Sequence, residues 1–369
     1  MSNTIGNMLK LTIFGESHGP AVGAVLDGLP GGVKIDEKYI ADMMAHRKAT
    51  GTISTARHEA DKVQIVSGVK NGFSEGSSLT LLIANTNVRP TDYARTENKA
   101  RPGHADYAAH VKYHGYEDPS GGGHFSGRLT APITACGAIA RSMLEDKGIF
   151  LATHIDVLHG IHDRSFDMDD IMGDMRMIAR SSFPVLDPCI GVTMRKEIEK
   201  AHMQADSVGG ILDTIVIGLD AGVGEPMFDS LESRLAAAIF SIGAVKGISF
   251  GAGSLFADMY GSQANDPITI QDGIVTTLTN NNGGINGGIS NGMPIRFKTV
   301  IKPTPSIARS QTTIDLNTNK ETTIHIVGRH DPAIIHRAAV VIDAITSLVL
   351  VDLLMERYGR EWFAGGENR

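Results

Sequence analysis

The stretch "PAIIHRAAVVIDAITSLVLVDLLMERYG", residues 332–359, decides how the chain must pack. Proline at its start and glycine at its end bracket a run of helix formers, which predicts one helix from about Pro332 to Tyr358, stopped at Gly359. The run is apolar almost all round, whereas a surface helix would show one polar face. It also carries His336, Arg337, Asp343 and Asp352, four groups that a membrane span rarely tolerates together. A helix of this kind belongs inside a protein, as a central core helix or at a subunit interface.

The rest of the chain supplies what could surround it. Short apolar runs bounded by Gly, Asn or Asp recur: "LKLTIFG", "AVGAVLDG", "KVQIVSGV", "SSLTLLIAN", "ILDTIVIGL", "PIRFKTVI" and "TTIHIVG". Several alternate polar and apolar residues, the signature of strands. They arrive in pairs with no helix between, which favours antiparallel sheet over a doubly wound parallel one. Three further helices are expected: 36–47, 131–147 ending at Gly148, and 229–241 with a capping box of Asp229 and Glu232. With no low-complexity linker, residues 1–369 read as a single α+β unit.

Composition narrows the function. The 34 basic and 41 acidic residues leave a net charge of −7, which argues against a general binder of nucleic acid or anionic membranes. The two cysteines, Cys136 and Cys189, make neither a disulfide framework nor a CxxC metal pair. The first residues lack a basic region followed by a long apolar run, so a cytoplasmic enzyme is expected. The 42 glycines come in clusters, as backbone-lined pockets require.

Five of those clusters also carry functional side chains. "FGESHG" places His18 at a strand end, and "RPGHAD" places His104 after a turn. "SGGGHFSGRLTAP" nearly spells the phosphate loop GxxxxGK[ST], but Arg128 and Leu129 replace its lysine and hydroxyl. Glycine-freed amides at a helix start, with the fork of Arg128, can hold an anion without triphosphate hydrolysis. "NNNGGINGGISNG" followed by "KPTPS" tolerates positive φ and supplies Lys302, Thr304 and Ser306 as donors. In "GRHDPAIIHR", Asp331 reads either as the helix N-cap or as a proton acceptor beside Arg329 and His330. The spacing of His110 and His114 could suit a metal, but no zinc-finger partners accompany it. The residues alone point to a phosphorylated small molecule, proton transfer and an aromatic cofactor. Two rival readings are a histidine-metal phosphohydrolase on His104, His110 and His114, and a flavin or nucleotide binding module without turnover.

"FGESHG", "RPGHADY", "SGRLTAPITACGAIAR", "AVKGI", "GGINGGISNG", "KPTPSI" and "GRHDP" resemble the chorismate synthase family in order and spacing, over about residues 5–355. The resemblance implies anti 1,4-elimination of phosphate and the carbon-6 pro-R hydrogen from 5-enolpyruvylshikimate 3-phosphate, giving chorismate. It implies reduced FMN (FMNH2) as cofactor without net redox change, a homotetramer, and a β-α-β sandwich with central helices between antiparallel sheets. It casts His18 as the acid near the leaving phosphate, His104 as the group protonating the flavin, and Asp331 as a proton relay. It casts Arg47, Arg128 and Arg329 as anion clamps. His124, Phe125, Ser126, Gly243, Ala244, Gly287, Lys302, Pro303, Thr304, Pro305, Ser306 and Arg329 become cofactor contacts. The chain departs from the family at His124, Phe125 and Leu129, and has no clear counterpart for a second arginine after Arg47, with Arg57 as the nearest substitute. No GxGxxG motif for a nicotinamide cofactor such as NADP follows a strand, which favours an external flavin reductase.

Overall fold

A computed structural model describes residues 3–48, 53–54, 61–86, 98–326 and 331–365. Arg57 and Arg329 lie outside the described residues. Eight α-helices are described: α1 Glu37–His46, α2 Asp106–Tyr113, α3 Thr130–Glu145, α4 Ile171–Ala179, α5 Pro188–Met203, α6 Leu231–Phe240, α7 Gly261–Ala264 and α8 Ile335–Tyr358.

Two five-stranded sheets enclose the central helices. The first runs Thr4–Ile5, Lys10–Gly15, Ala21–Asp27, Leu79–Ala84, Val63–Ser67 in spatial order, each neighbour antiparallel. The second runs Ile161–His162, Phe150–Leu158, Gly210–Ile217, Ile295–Ile301, Val245–Phe250, again antiparallel throughout. Helix α3 packs on the first sheet and along α8, while α8 packs on the second sheet and on α6. This is the expected sandwich of helices between antiparallel sheets.

Helix α8 fills the middle layer. It is long and apolar enough to cross a membrane, but 94% of its most apolar window lies buried inside the protein. Its two buried carboxylates each have structural partners. Asp352 accepts the amides of Asn7, Met8 and Leu9 at 2.9, 2.7 and 2.7 Å, and also pairs with Arg234. Asp343 accepts from Thr153 Oγ1 at 2.6 Å and from Arg141 at 3.2 Å. Burial pushes the Asp343 carboxyl up to about 6 against the pull of Arg141. Gly137 lets α3 lie against α8, because a Cβ there would stand 2.3 Å from the Ala344 Cβ.

Two expected caps are corrected. Asp229 lies in a 3₁₀ turn, and Ser230 caps α6 by accepting from the Ser233 amide at 3.0 Å. Asp331 does not cap α8, whose N-cap makes no side-chain bond; the carboxylate accepts instead from Arg337, in the helix's first turn. By contrast, Asp36 caps α1 as its sequence position suggests, with Arg47 closing the helix at its C-terminal end.

Candidate functional site

The glycine run before α3 builds the centre of the site. Residues Ser120–Phe125 form a 3₁₀ turn in which Gly121, Gly122 and Gly123 all take positive φ. The turn lies over the end of the strand Lys10–Gly15, where Ser17 N donates to Gly123 O at 3.1 Å. His18 sits directly beneath it: a Cβ on Gly121 would fall 2.2 Å from His18 Cε1. His124 Nδ1 approaches Gly15 O at 3.4 Å. Asn85 ties this turn to the next group by donating to Glu16 O and Gly19 O while accepting from Arg128 Nε at 2.9 Å.

The expected amide cradle is largely used up by the turn itself. Gly122 N donates to Pro119 O, and Ser126 N to Gly123 O. Arg128 N donates to Ser126 Oγ. Cationic side chains therefore dominate the site.

Arg47 and Arg128 come together from α1 and from the turn before α3, and both are buried. The Asp61 carboxylate lies between them, one oxygen on each guanidinium. Burial alone would raise the Asp61 carboxyl, but Arg47 and Arg128 hold it below the usual carboxylate range. Arg337 joins the group, donating through Nε to Arg47 O at 2.8 Å and through Nη1 to Asp331 at 2.6 Å. Asp61 and Arg337 thus link Arg47, Arg128 and Asp331, and Asn85 ties Arg128 to the Glu16–Gly19 turn that carries His18.

A second group approaches the glycine turn through Arg101, whose backbone carbonyl accepts from the His104 amide. His104 Nε2 and Ser306 Oγ are 2.6 Å apart. Lys302 Nζ donates to Gly103 O at 2.5 Å, and Lys302 N to Ala244 O at 2.9 Å. Burial, then the nearby Lys246, pulls the Lys302 ammonium below its ordinary value. Ala244 holds φ at +75°, an unusual conformation for a residue with a Cβ. Pro305 packs against Gly103, where an added Cβ would meet Pro305 Cβ at 3.0 Å. Arg101 connects the two flanks: it pairs with Asp106 at 2.7 Å, and its Nη2 lies 3.6 Å from where a Gly122 Cβ would stand.

This second group offers donors that could hold an anionic group. Thr304 Oγ1 is buried without a hydrogen-bond partner, next in sequence but one to the Lys302 ammonium. A Cβ at Gly243 would meet nothing within 4 Å, and Phe125 exposes its ring beside this flank of the turn. Ser126 and Pro303 border the same two segments. Gly287 does not join them. It lies in the hairpin formed by Ile285–Asn286 and Ile289–Ser290, beside Val223 and Leu231. That hairpin stands at the opposite end of the strand Ile295–Ile301 from Lys302, about 20 Å away at ~3.3 Å per residue.

The histidine triad of the metal reading is not assembled. His104 meets Ser306, His110 Nδ1 meets Glu117 at 3.1 Å, and His114 closes α2 in a left-handed conformation. Among the described residues, His154, Asp156 and Asp213 come within 4.8 Å of one another. Lys298 and Arg296 already pair with those two aspartates, at 2.8 and 2.6 Å. Burial pulls the His154 imidazole down, but Asp163 and Asp213 outweigh it and hold the ring above its ordinary value.

Sequence reasoning passed over Asp61, Asn85, Arg101 and Arg337. Of these, Arg101, which opens "RPGHAD", and Arg337, in the first turn of α8, carried a signal.

Comparison with known proteins places this geometry. The family model "Chorismate synthase" matches residues 9–355. A chorismate synthase of Dehalococcoides mccartyi is 43% identical over 356 residues, covering 96% of this chain and 97% of the relative. A chorismate synthase of Pyrococcus abyssi is 41% identical over 357 residues, covering 97% and 98%. A structure titled "Crystal Structure of Chorismate Synthase" superposes with a TM-score of 0.75 at 24% identity, over 96% of this chain and 94% of that one, which supports the fold. The chain belongs to the chorismate synthase family, carbon–oxygen lyases of the shikimate pathway to the aromatic amino acids.

Proposed function

We propose that the chain converts 5-enolpyruvylshikimate 3-phosphate to chorismate and phosphate by anti 1,4-elimination, with reduced FMN bound beside the substrate. The observation that carries this reading is the convergence of His18, Asp331 and three arginines on one flank of the glycine turn, with His104, Ser306 and Lys302 on the other. The substrate carries a phosphate and two carboxylates, and Arg47, Arg128 and Arg329 are its proposed clamps. An arginine-rich, poorly hydrated pocket stabilises negative charge as the carbon–oxygen bond breaks and phosphate leaves with the bonding pair. His18 would hold a proton for the leaving phosphate, and Asp331 would receive the proton lost from carbon 6. Lys302, Thr304, Ser126 and the backbone at Ala244 would hold the flavin, with His104 and Ser306 at its ring. A reduced FMN held there would supply reversible one-electron chemistry, which leaves the reaction with no net redox change.

A cytoplasmic homotetramer served by an external flavin reductase completes the reading. Phe228, Ile268, Ile270, Ile274 and Leu278 are strongly exposed, as residues covered by further copies would be. Gly287 would contact the cofactor only from such a copy.

The test is an anaerobic assay with 5-enolpyruvylshikimate 3-phosphate and chemically reduced FMN, following phosphate and chorismate together. Equal release of both, abolished with oxidised flavin, is expected. Phosphate without chorismate would mean hydrolysis and overturn the reading.

A further inference from the structure

The two arginines read as substrate clamps are occupied by the protein itself. The side chains of Arg47 and Arg128 are each 5% exposed, and the Asp61 side chain between them 2%. Asp61 Oδ2 takes Arg47 Nη2, and Oδ1 takes Arg128 Nη1. This is how a bound oxyanion would sit between two guanidinium groups.

The fit is incomplete at one atom. Arg47 Nε is buried and has no acceptor. Guanidinium groups bind oxyanions best through two parallel N–H bonds to two oxygens. Asp61 offers Arg47 one oxygen because its other is committed to Arg128. A carboxylate has two oxygens, and the three donors Arg47 Nε, Arg47 Nη2 and Arg128 Nη1 call for three.

The charges agree with this count. Among the described residues, Arg47, Arg128 and Arg337 bring three positive charges to this group against the two negative ones of Asp61 and Asp331, an excess that favours a more highly charged anion than a carboxylate. Asp61 also holds its backbone at φ +45°, a region that residues with a side chain enter at some cost.

We propose that Asp61 is an internal stand-in for the substrate's phosphate: it keeps the Arg47–Arg128 fork assembled in the empty enzyme, and a three-oxygen dianion displaces it where a lone carboxylate does not. The inference rests on the reading of Arg47 and Arg128 as substrate clamps. It makes Asp61 a specificity determinant, because any anion must outcompete a carboxylate already in place.

The test uses inorganic phosphate and acetate as probes on the purified full chain, by calorimetric titration. Asp61→Asn is expected to tighten phosphate binding at least about tenfold, corresponding to one factor of ten per 1.4 kcal/mol, and to make acetate binding measurable. Phosphate binding that is unchanged or weakened in Asp61→Asn overturns the proposal, since a merely structural bridge would lose affinity on removal. A second measurement uses the unmodified protein. Hydrogen exchange of the segment 61–67 is expected to accelerate when phosphate is added, as Asp61 leaves the fork. Slower or unchanged exchange there overturns the proposal. The elimination assay separates this inference from the functional reading: turnover without tighter phosphate binding refutes only the role of Asp61, and tighter binding without turnover refutes only the reaction.

Discussion

Arg337 holds Asp331 and the Arg47 backbone at the same time, through Nη1 at 2.6 Å and Nε at 2.8 Å. A planar guanidinium can do this because its donors point in fixed directions. The proposed proton relay is thereby fixed to the proposed anion clamp by a single side chain. A charge-assisted bond of this type contributes about 1.5–3 kcal/mol, so its loss corresponds to roughly ten- to hundredfold. Arg337→Ala is expected to lower kcat by about that factor, and Arg337→Lys, with one donor direction in place of two, to recover only part of it. Steady-state kinetics of both variants check this; equal activity in Arg337→Ala and the unmodified enzyme would show the link to be idle.

The 2.6 Å contact between His104 and Ser306 joins residues 202 positions apart. Its purpose in the proposed reaction is to fix the imidazole at the flavin ring. His104→Ala should therefore slow turnover by at least about tenfold, the low end of what a lost acid–base group costs. Ser306→Ala leaves the ring present but less well held, and should cost less while altering the shape of the kcat–pH profile. A Ser306→Ala profile that overlays the original would remove the serine from the mechanism.

Gly121 offers a test of His18 that leaves the histidine in place. A Cβ at residue 121 would lie 2.2 Å from His18 Cε1 and 2.4 Å from Nδ1, at a φ of +61°. The ring must move for the methyl to fit, and the left-handed backbone adds roughly 1–2 kcal/mol of strain. Gly121→Ala is expected to lose at least about tenfold in kcat, as for loss of an acid, while the folded protein persists by circular dichroism. Unchanged kcat would show that His18 does not need its position.

The polar residues in the apolar run 332–359 were the most legible feature of the fold, because a buried charge needs a partner and so announces an interior. The paired strands and four helices followed from periodicity and from their glycine and proline boundaries. The strand Phe150–Leu158 escaped notice because His154 and Asp156 break its apolar pattern, and both are reconciled only by partners from other segments. Helices α4 and α5 went unread in the sequence, although α4 buries Met175 and Ile178 on one face. In the site, the turns carrying His18, His104 and Arg128 were legible because glycine clusters mark unusual backbone. Asp61 was not: a single carboxylate between two arginines from other segments leaves no periodic trace. Gly287 fell at the far end of its strand because motif order says nothing about which end of a strand a loop occupies.

His336 provides a pH signature. Its Nε2 lies 2.9 Å from Ser54 Oγ, and the ring packs 5.8 Å from that of Phe183. Burial, then Arg337 and Arg195, pulls the imidazole down to about 3. The folded protein therefore favours neutral His336, whereas the unfolded chain titrates near 6.5. The stability this confers is complete above about pH 6.5 and falls by about 1.4 kcal/mol per unit as the pH drops toward 3. Asp343, pushed up to about 6, acts in the opposite sense over part of this window, since its protonated form suits the folded state. The informative quantity is thus the difference between the original protein and His336→Asn. Urea unfolding at pH 7 and pH 5 is expected to show the original losing more stability than the variant, by about 1.4 kcal/mol for each unit below 6.5. Parallel losses in the two proteins would mean that His336 takes up its proton without leaving its buried site.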